Sequence, residues 1–118
     1  MEYQVITTEQ FYKDIKYYKR KKKYQHIDED IDEIIKQLEK GNFLGNEVPD
    51  LKISDSEVVY KVRAINSDTH VGKSNGYRLI YYVIKNEYEI YLLTIYYKKE
   101  KENINSQEII ELIKVNCS

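Results

Sequence analysis

The sequence predicts an α+β fold in the order β-α-α-β-β-β-α, a mainly antiparallel four-stranded sheet with an N-terminal helical hairpin and a C-terminal helix. Three observations lead there. Two early segments repeat apolar residues at helical spacing, three later runs rich in Val, Ile, Leu and Tyr are joined by polar turns, and an amphipathic segment closes the chain. Strands that follow one another through short turns pair antiparallel, and amphipathic helices need a sheet to bury their apolar faces.

Residues 3–6 (Tyr-Gln-Val-Ile) form a short strand-like run. Thr7, with Gln10 three residues on, has the spacing of a capping box and opens the first helix. Phe11, Ile15 and Tyr18 line one face of it. Its far end, the run of five Lys/Arg at 19–23, sits where the helix dipole favours cations. In the second helix Ile27, Ile31, Ile34, Ile35 and Leu38 follow i, i+4, i+7, i+8, i+11. Asp28, Glu29 and Asp30 occupy its first turn and Gly41 supplies the stop. The two helices share a short connection, hence the hairpin.

A loop over 42–55 holds Gly45 and the only proline, Pro49. Strands are predicted at 58–65, 77–85 and 88–97, with Asn86-Glu87 a tight hairpin turn between the last two. The longer link at 66–76 ends in Lys73-Ser74-Asn75-Gly76, a flexible turn. The final helix starts near Asn105, with Glu108 three residues later and Ile109, Leu112 and Ile113 on one face.

At 118 residues the chain falls below the roughly 150 typical of a domain, so one domain is expected. With 42% hydrophobic and 33% charged residues it reads as globular rather than disordered. No run approaches the ~20 apolar residues of a membrane span, and the first residues lack a basic segment followed by an apolar one. Membrane and secreted classes are therefore excluded, and a cytoplasmic location is expected. A lone cysteine, Cys117, allows no internal disulfide and no cysteine zinc cage, which suits a reducing compartment.

The net charge of −1 hides an uneven distribution. Residues 1–26 carry seven Lys/Arg against three Asp/Glu, 27–57 carry three against ten, and 58–118 carry nine against seven. Thirteen tyrosines accompany no tryptophan. Tyrosine suits both strands and base-stacking surfaces, so this enrichment chooses neither.

His26 and His70 are far apart and form no HExxH pattern, and the four glycines make no phosphate loop, so neither a metal nor a cofactor is expected. The informative residues are cations on strands. Period-2 alternation puts Lys61 and Arg63 opposite Tyr60, Val62 and Ala64. Arg78 shares a face with Ile80 and Tyr82, and Lys98 and Lys99 follow the last apolar run. If neighbouring strands pair, Lys61, Arg63, Arg78 and Lys98 converge on one face. Two interpretations stay open: a solvated sheet face with ordinary cross-strand pairs, or a site for an anionic ligand. RNA cleavage by an in-line 2′-oxygen needs charge stabilisation at phosphorus and help for the leaving 5′-oxygen, which Arg and Lys can supply. Lys61 would serve as base only if its pKa fell well below about 10.4, as nearby cations favour. Tyr96 or Tyr97 would stack a base.

The segment Val59-Tyr60-Lys61-Val62-Arg63, then Gly72-Lys73-Ser74-Asn75-Gly76-Tyr77-Arg78, then residues 90–100 (IYLLTIYYKKE), resembles the RelE/HigB branch of the RelE/ParE toxin superfamily. The resemblance covers nearly the whole chain, which it implies is a single toxin domain over residues 1–118, and the element order agrees with it. It implies the toxin of a type II toxin–antitoxin system, a ribosome-dependent mRNA endoribonuclease leaving a 2′,3′-cyclic phosphate. Its implied partners are a cognate antitoxin, the ribosome and mRNA, with no membrane and no metal. By position, Lys61 would be base or phosphate contact, Arg63 the second basic residue of that strand, Arg78 the transition-state stabiliser and Lys98 the leaving-group assistant. Lys73, Tyr96, Tyr97 and Lys99 would contact RNA. Asn75 stands where the family's loop has a glycine, the pI near 6.1 is lower than that of many such toxins, and the tyrosine some members carry at the last helix has no counterpart near Ile104. The exposed end of the first helix and the open sheet edge are the candidate antitoxin surfaces. Two other functions stay open on the same fold: a ParE-like inhibitor that binds DNA gyrase, using the helical hairpin and the 19–23 run, and a decayed toxin that only binds its antitoxin.

Overall fold

Between β1 (Gln4–Thr7) and the sheet's other strands lie the helices α1 (Glu9–Arg20) and α2 (Ile27–Glu39). β2 (Asn46–Glu47), β3 (Glu57–Ala64), β4 (Tyr77–Ile84) and β5 (Glu89–Tyr97) follow, then α3 (Ser106–Asn116). The structure, a computed structural model, describes residues 2–117. The α+β class is as expected, but the sheet is five-stranded and mixed, in the order β1-β5-β4-β3-β2. β1 runs parallel to β5, and the remaining neighbours are antiparallel.

The additional strand comes from the 42–55 loop, where Asn46 pairs with Lys61 and Glu47 with Tyr60. Two paired residues carry no alternation that a sequence pattern can register. What seats them is Gly45, at φ +88°, where an added Cβ would lie 2.2 Å from the Lys61 carbonyl oxygen.

Thr8, not Thr7, caps α1. Thr7 still belongs to β1, opposite Leu92. The buried Thr8 hydroxyl accepts the Phe11 N–H (3.2 Å) and donates to the Leu92 carbonyl (2.7 Å), tying helix and sheet together. Such a cap is typically worth about 1 kcal/mol. Gln10 does not close a box; its amide donates forward to Asp14 (2.9 Å). α2 matches its periodicity from Ile27 onward, and Gly41 follows it at φ +85° with its N–H on the Leu38 carbonyl (2.9 Å). Asn105 caps α3 by accepting the Glu108 N–H (2.9 Å).

Two apolar layers result. On one face α1 and α2 bury Phe11, Tyr18, Ile31 and Leu38 against Val62, Leu79, Tyr81 and Leu92. On the other, Ile104 and the α3 residue Ile109 pack on Val59, Ile80, Tyr82, Leu93 and Tyr96. Much of the tyrosine excess builds the first layer: Tyr18 packs on Tyr77 (ring centroids 5.5 Å apart) and Tyr24 on Tyr97 (5.7 Å).

β1 stops at Thr7, which leaves the second half of β5 without a neighbouring strand on that side. Side chains of α1 complete it. Asp14 accepts the Ile95 N–H (3.1 Å) and the Thr94 hydroxyl (2.5 Å), and the Tyr18 hydroxyl accepts the Tyr97 N–H (2.7 Å). This stretch of sheet edge, open by sequence, is thus occupied. Burial pushes the Asp14 carboxyl above its ordinary range despite those hydrogen bonds.

Candidate functional site

Antiparallel register puts directly opposite residues on the same face, with Cβ atoms about 4.5–5.5 Å apart. Arg63 lies opposite Arg78, and Arg78 opposite Tyr96. One position along, Lys61 lies opposite Ile80 and, across the other edge of β3, opposite Asn46. α3 covers Val59, Ile80 and Tyr82 on this face but leaves the Lys61–Arg63 side open. Lys61, Arg63 and Lys73 line a cleft of about 1200 Å³ with Asn103, Asn105 and Ser106 from the approach to α3.

None of Lys61, Arg63, Lys73, Arg78 and Lys98 forms an ion pair among the described residues, although lysines elsewhere do, such as Lys13 with Glu9, Lys36 with Asp32 and Lys101 with Glu108. Glu29, Asp30, Glu33 and Glu47 also line the cleft, but like charges that no carboxylate pairs repel one another, and the ionisation of Lys61 registers it. Partial burial first, then the charges of Arg78, Arg63 and Lys98, hold its ammonium below the ordinary lysine range. Among the described residues the one hydrogen bond of Lys61 Nζ is to a neutral acceptor, the Asn103 side-chain oxygen, at 3.3 Å.

Arg78 is only 4% exposed. Its Nη1 donates to the carbonyls of Lys73 (2.9 Å) and Tyr77 (3.3 Å), and its Nη2 to that of Ser74 (2.9 Å). Lys98 Nζ also reaches the Ser74 carbonyl (3.3 Å). The guanidinium is thereby the clamp of the 73–76 turn, leaving two of its five N–H donors free. Burial and the neighbouring Arg63 lower its pKa. Gly76 completes the turn: a Cβ there would lie 2.1 Å from the Ala64 carbonyl oxygen.

The other predicted contacts divide. Lys73 is exposed on the turn at the cleft, and Lys99 is exposed after β5. Tyr96 is on the cationic face but 5% exposed, its hydroxyl buried without a hydrogen-bond partner among the described residues. Tyr97 points to the opposite layer, where its hydroxyl donates to Thr69 (3.2 Å). Neither ring offers an open stacking surface, because strand alternation sends adjacent residues to opposite, covered faces. In the 19–23 run Lys19 pairs with Asp28 and Lys22 with Glu100 (2.7 Å). His26 bonds Asp68 (2.8 Å), and His70 is exposed.

Asn103 and Asn46 are the neighbours of Lys61 that the sequence reading passed over. The Asn105 cap fixes where α3 begins, and hence Asn103 two residues before it, but only the sheet topology brings that segment to β3. Among the described residues no helix is long and apolar enough to cross a membrane, and no group of three or more His, Cys, Asp or Glu is placed to hold a metal ion. Compared with known protein families and with curated proteins, the chain matches no family model and no curated sequence.

Proposed function

We propose that this chain is the toxin of a type II toxin–antitoxin pair, an endoribonuclease that cuts mRNA on the ribosome. The observation that carries the reading is the convergence of Lys61, Arg63, Arg78 and Lys98, free of carboxylate partners among the described residues, beside a cleft of about 1200 Å³. In the proposed step the neutral Lys61 amine takes the proton of a 2′-hydroxyl, and the 2′-oxygen bonds to the adjacent phosphorus. Arg63 and the remaining donors of Arg78 stabilise the charge on the phosphorane oxygens. The bond from phosphorus to the 5′-oxygen breaks, and that oxygen takes a proton from the Lys98 ammonium. The products are a 2′,3′-cyclic phosphate and a 5′-hydroxyl, and proton exchange with water restores both lysines. A base with a depressed pKa beside a charged acid is a common device for such chemistry near neutral pH. The RNA contacts on this reading come from Lys73 and Lys99, both exposed.

Inducible expression of wild type and Arg63→Ala, followed by primer extension on a translated reporter, tests it. Arg63 is exposed and makes no hydrogen bond or ion pair among the described residues, so its loss leaves the fold intact. Cuts in phase with codons, absent when translation is blocked and lost in the variant, support the nuclease. Growth arrest with intact mRNA overturns it in favour of a gyrase-binding inhibitor. No arrest overturns it in favour of a protein that only binds its antitoxin.

A further inference from the structure

The open face of β3 poses a question of aim. A lysine side chain has four rotatable carbons, and an amine that must meet a 2′-hydroxyl within about 3 Å needs something to hold it. On the sheet, Lys61 is flanked across the strand edge by Asn46 and faced by the segment leading into α3. From that segment Asn103 presents its side-chain oxygen 3.3 Å from Nζ.

We propose that Asn103 is the positioning residue for Lys61: its amide oxygen holds Nζ at the cleft while supplying no counter-charge. The inference rests on the reading of Lys61 as the base. A neutral amine that donates one N–H to the Asn103 oxygen keeps its lone pair for the incoming proton. A carboxylate in the same place would hold the nitrogen equally well, but would favour the ammonium and so remove the base.

The charged groups around Lys61 bear this out. Arg63 on its own strand, Arg78 on β4 and Lys98 after β5 all oppose its protonation, and Lys73 lines the same cleft. The segment leading into α3 brings only neutral residues, Asn103 through Ser106, and Glu108 in the first turn of the helix is paired with Lys101 (2.9 Å). Glu47 of β2 lies opposite Tyr60, hence on the other face, and Glu29, Asp30 and Glu33 enter the cleft from α2, which packs on that other face. None of these carboxylates makes an ion pair with Lys61 among the described residues.

The test uses the intact protein and two readouts. The first is the 13Cε chemical-shift titration of Lys61 in wild type, Asn103→Asp and Asn103→Ala. The second is the pH–rate profile of mRNA cleavage on purified ribosomes. Asn103 is exposed in the irregular segment before α3, so both variants fold. The Lys61 midpoint is expected to rise by about one pH unit in Asn103→Asp, the lower end of the effect of an adjacent opposite charge. The acid limb of cleavage moves with it, so the rate below the midpoint falls about tenfold while the alkaline plateau is kept. In Asn103→Ala the midpoint does not rise and the plateau itself drops. An unmoved midpoint in Asn103→Asp overturns the proposal, as does a moved midpoint with an unmoved acid limb. If wild type cleaves no RNA, the nuclease reading fails, and the titration alone decides whether the Lys61–Asn103 contact exists in solution.

Discussion

Arg63 and Arg78 stand opposite each other on β3 and β4, yet truncating them removes different things. Arg63 is exposed and unpartnered among the described residues, so Arg63→Ala is expected to change stability by no more than about 0.5 kcal/mol. On the nuclease reading the same change lowers cleavage about 100-fold or more, the usual effect of deleting one donor to a developing anion. Urea unfolding and ribosome-bound cleavage of the one purified variant check both halves. Arg78→Ala instead removes the clamp of the 73–76 turn. The freed carbonyls of Lys73 and Ser74 belong to exposed residues and regain water, while that of Tyr77 belongs to a buried one, so a loss of about 2 kcal/mol is expected, in the range of a charged hydrogen bond. Arg78→Lys restores less than half of it, because a single ammonium does not span the Lys73 and Ser74 carbonyls as a planar guanidinium does. Strand alternation made the face of Arg78 legible in the sequence. It could not reveal that the guanidinium turns back onto the residues just before it, since such a contact depends on the turn's conformation and not on any periodicity.

At the scale of elements, the segment between β3 and β4 is held from three sides: by Arg78, by Gly76 against Ala64, and by contacts to the start of α2. Gly76→Ala forces a Cβ onto backbone rather than onto a side chain that can rotate away. We expect it to cost about 1–3 kcal/mol, as overpacking does, and to weaken amide protection over 72–76 in hydrogen exchange. At α2, Asp68 accepts both the His26 N–H (3.0 Å) and its ring Nδ1 (2.8 Å). Hydrogen bonding and charge attraction from Asp68 raise the His26 pKa above its usual 6.5. The contact's contribution is therefore complete below that value and is lost as pH rises through the folded-state pKa. Asp68→Asn should flatten this alkaline decline, which urea midpoints at about pH 6 and pH 8.5 measure. The helices were legible because apolar spacing, caps and end charges agree within each of them. β2 and the shift of the α1 cap from Thr7 to Thr8 were not, because both are set by distant partners, Lys61 and Leu92.

Across the whole molecule, the acidic helix α2, which does most to bring the net charge to −1, packs on the α1 side of the sheet. The cations of β3 and β4 and of the turn after β5 gather on the other side, around α3. An overall pI near 6.1 thus coexists with a locally cationic face, which total charge does not convey. The seven principal elements were readable from pattern alone, since the helices bury one face at helical period and the central strands β4 and β5, covered on both faces, are near-continuous apolar runs. The parallel placement of β1 beside β5 was not, because nothing within either run specifies a partner about 85 residues away. α3 links fold to site at this scale. Ile109 is fully buried beneath it, and Ile109→Ala is expected to cost about 2–5 kcal/mol and to loosen the segment carrying Asn103. The most direct measurement of the central claim is incubation of the purified protein with ribosomes stalled on a defined mRNA, followed by chemical identification of the new RNA ends. The account predicts a cut within the ribosome-held codon, a 2′,3′-cyclic phosphate on the upstream fragment, and loss of both in Arg63→Ala. Uncut mRNA with folded wild-type protein bound to the ribosome would contradict it.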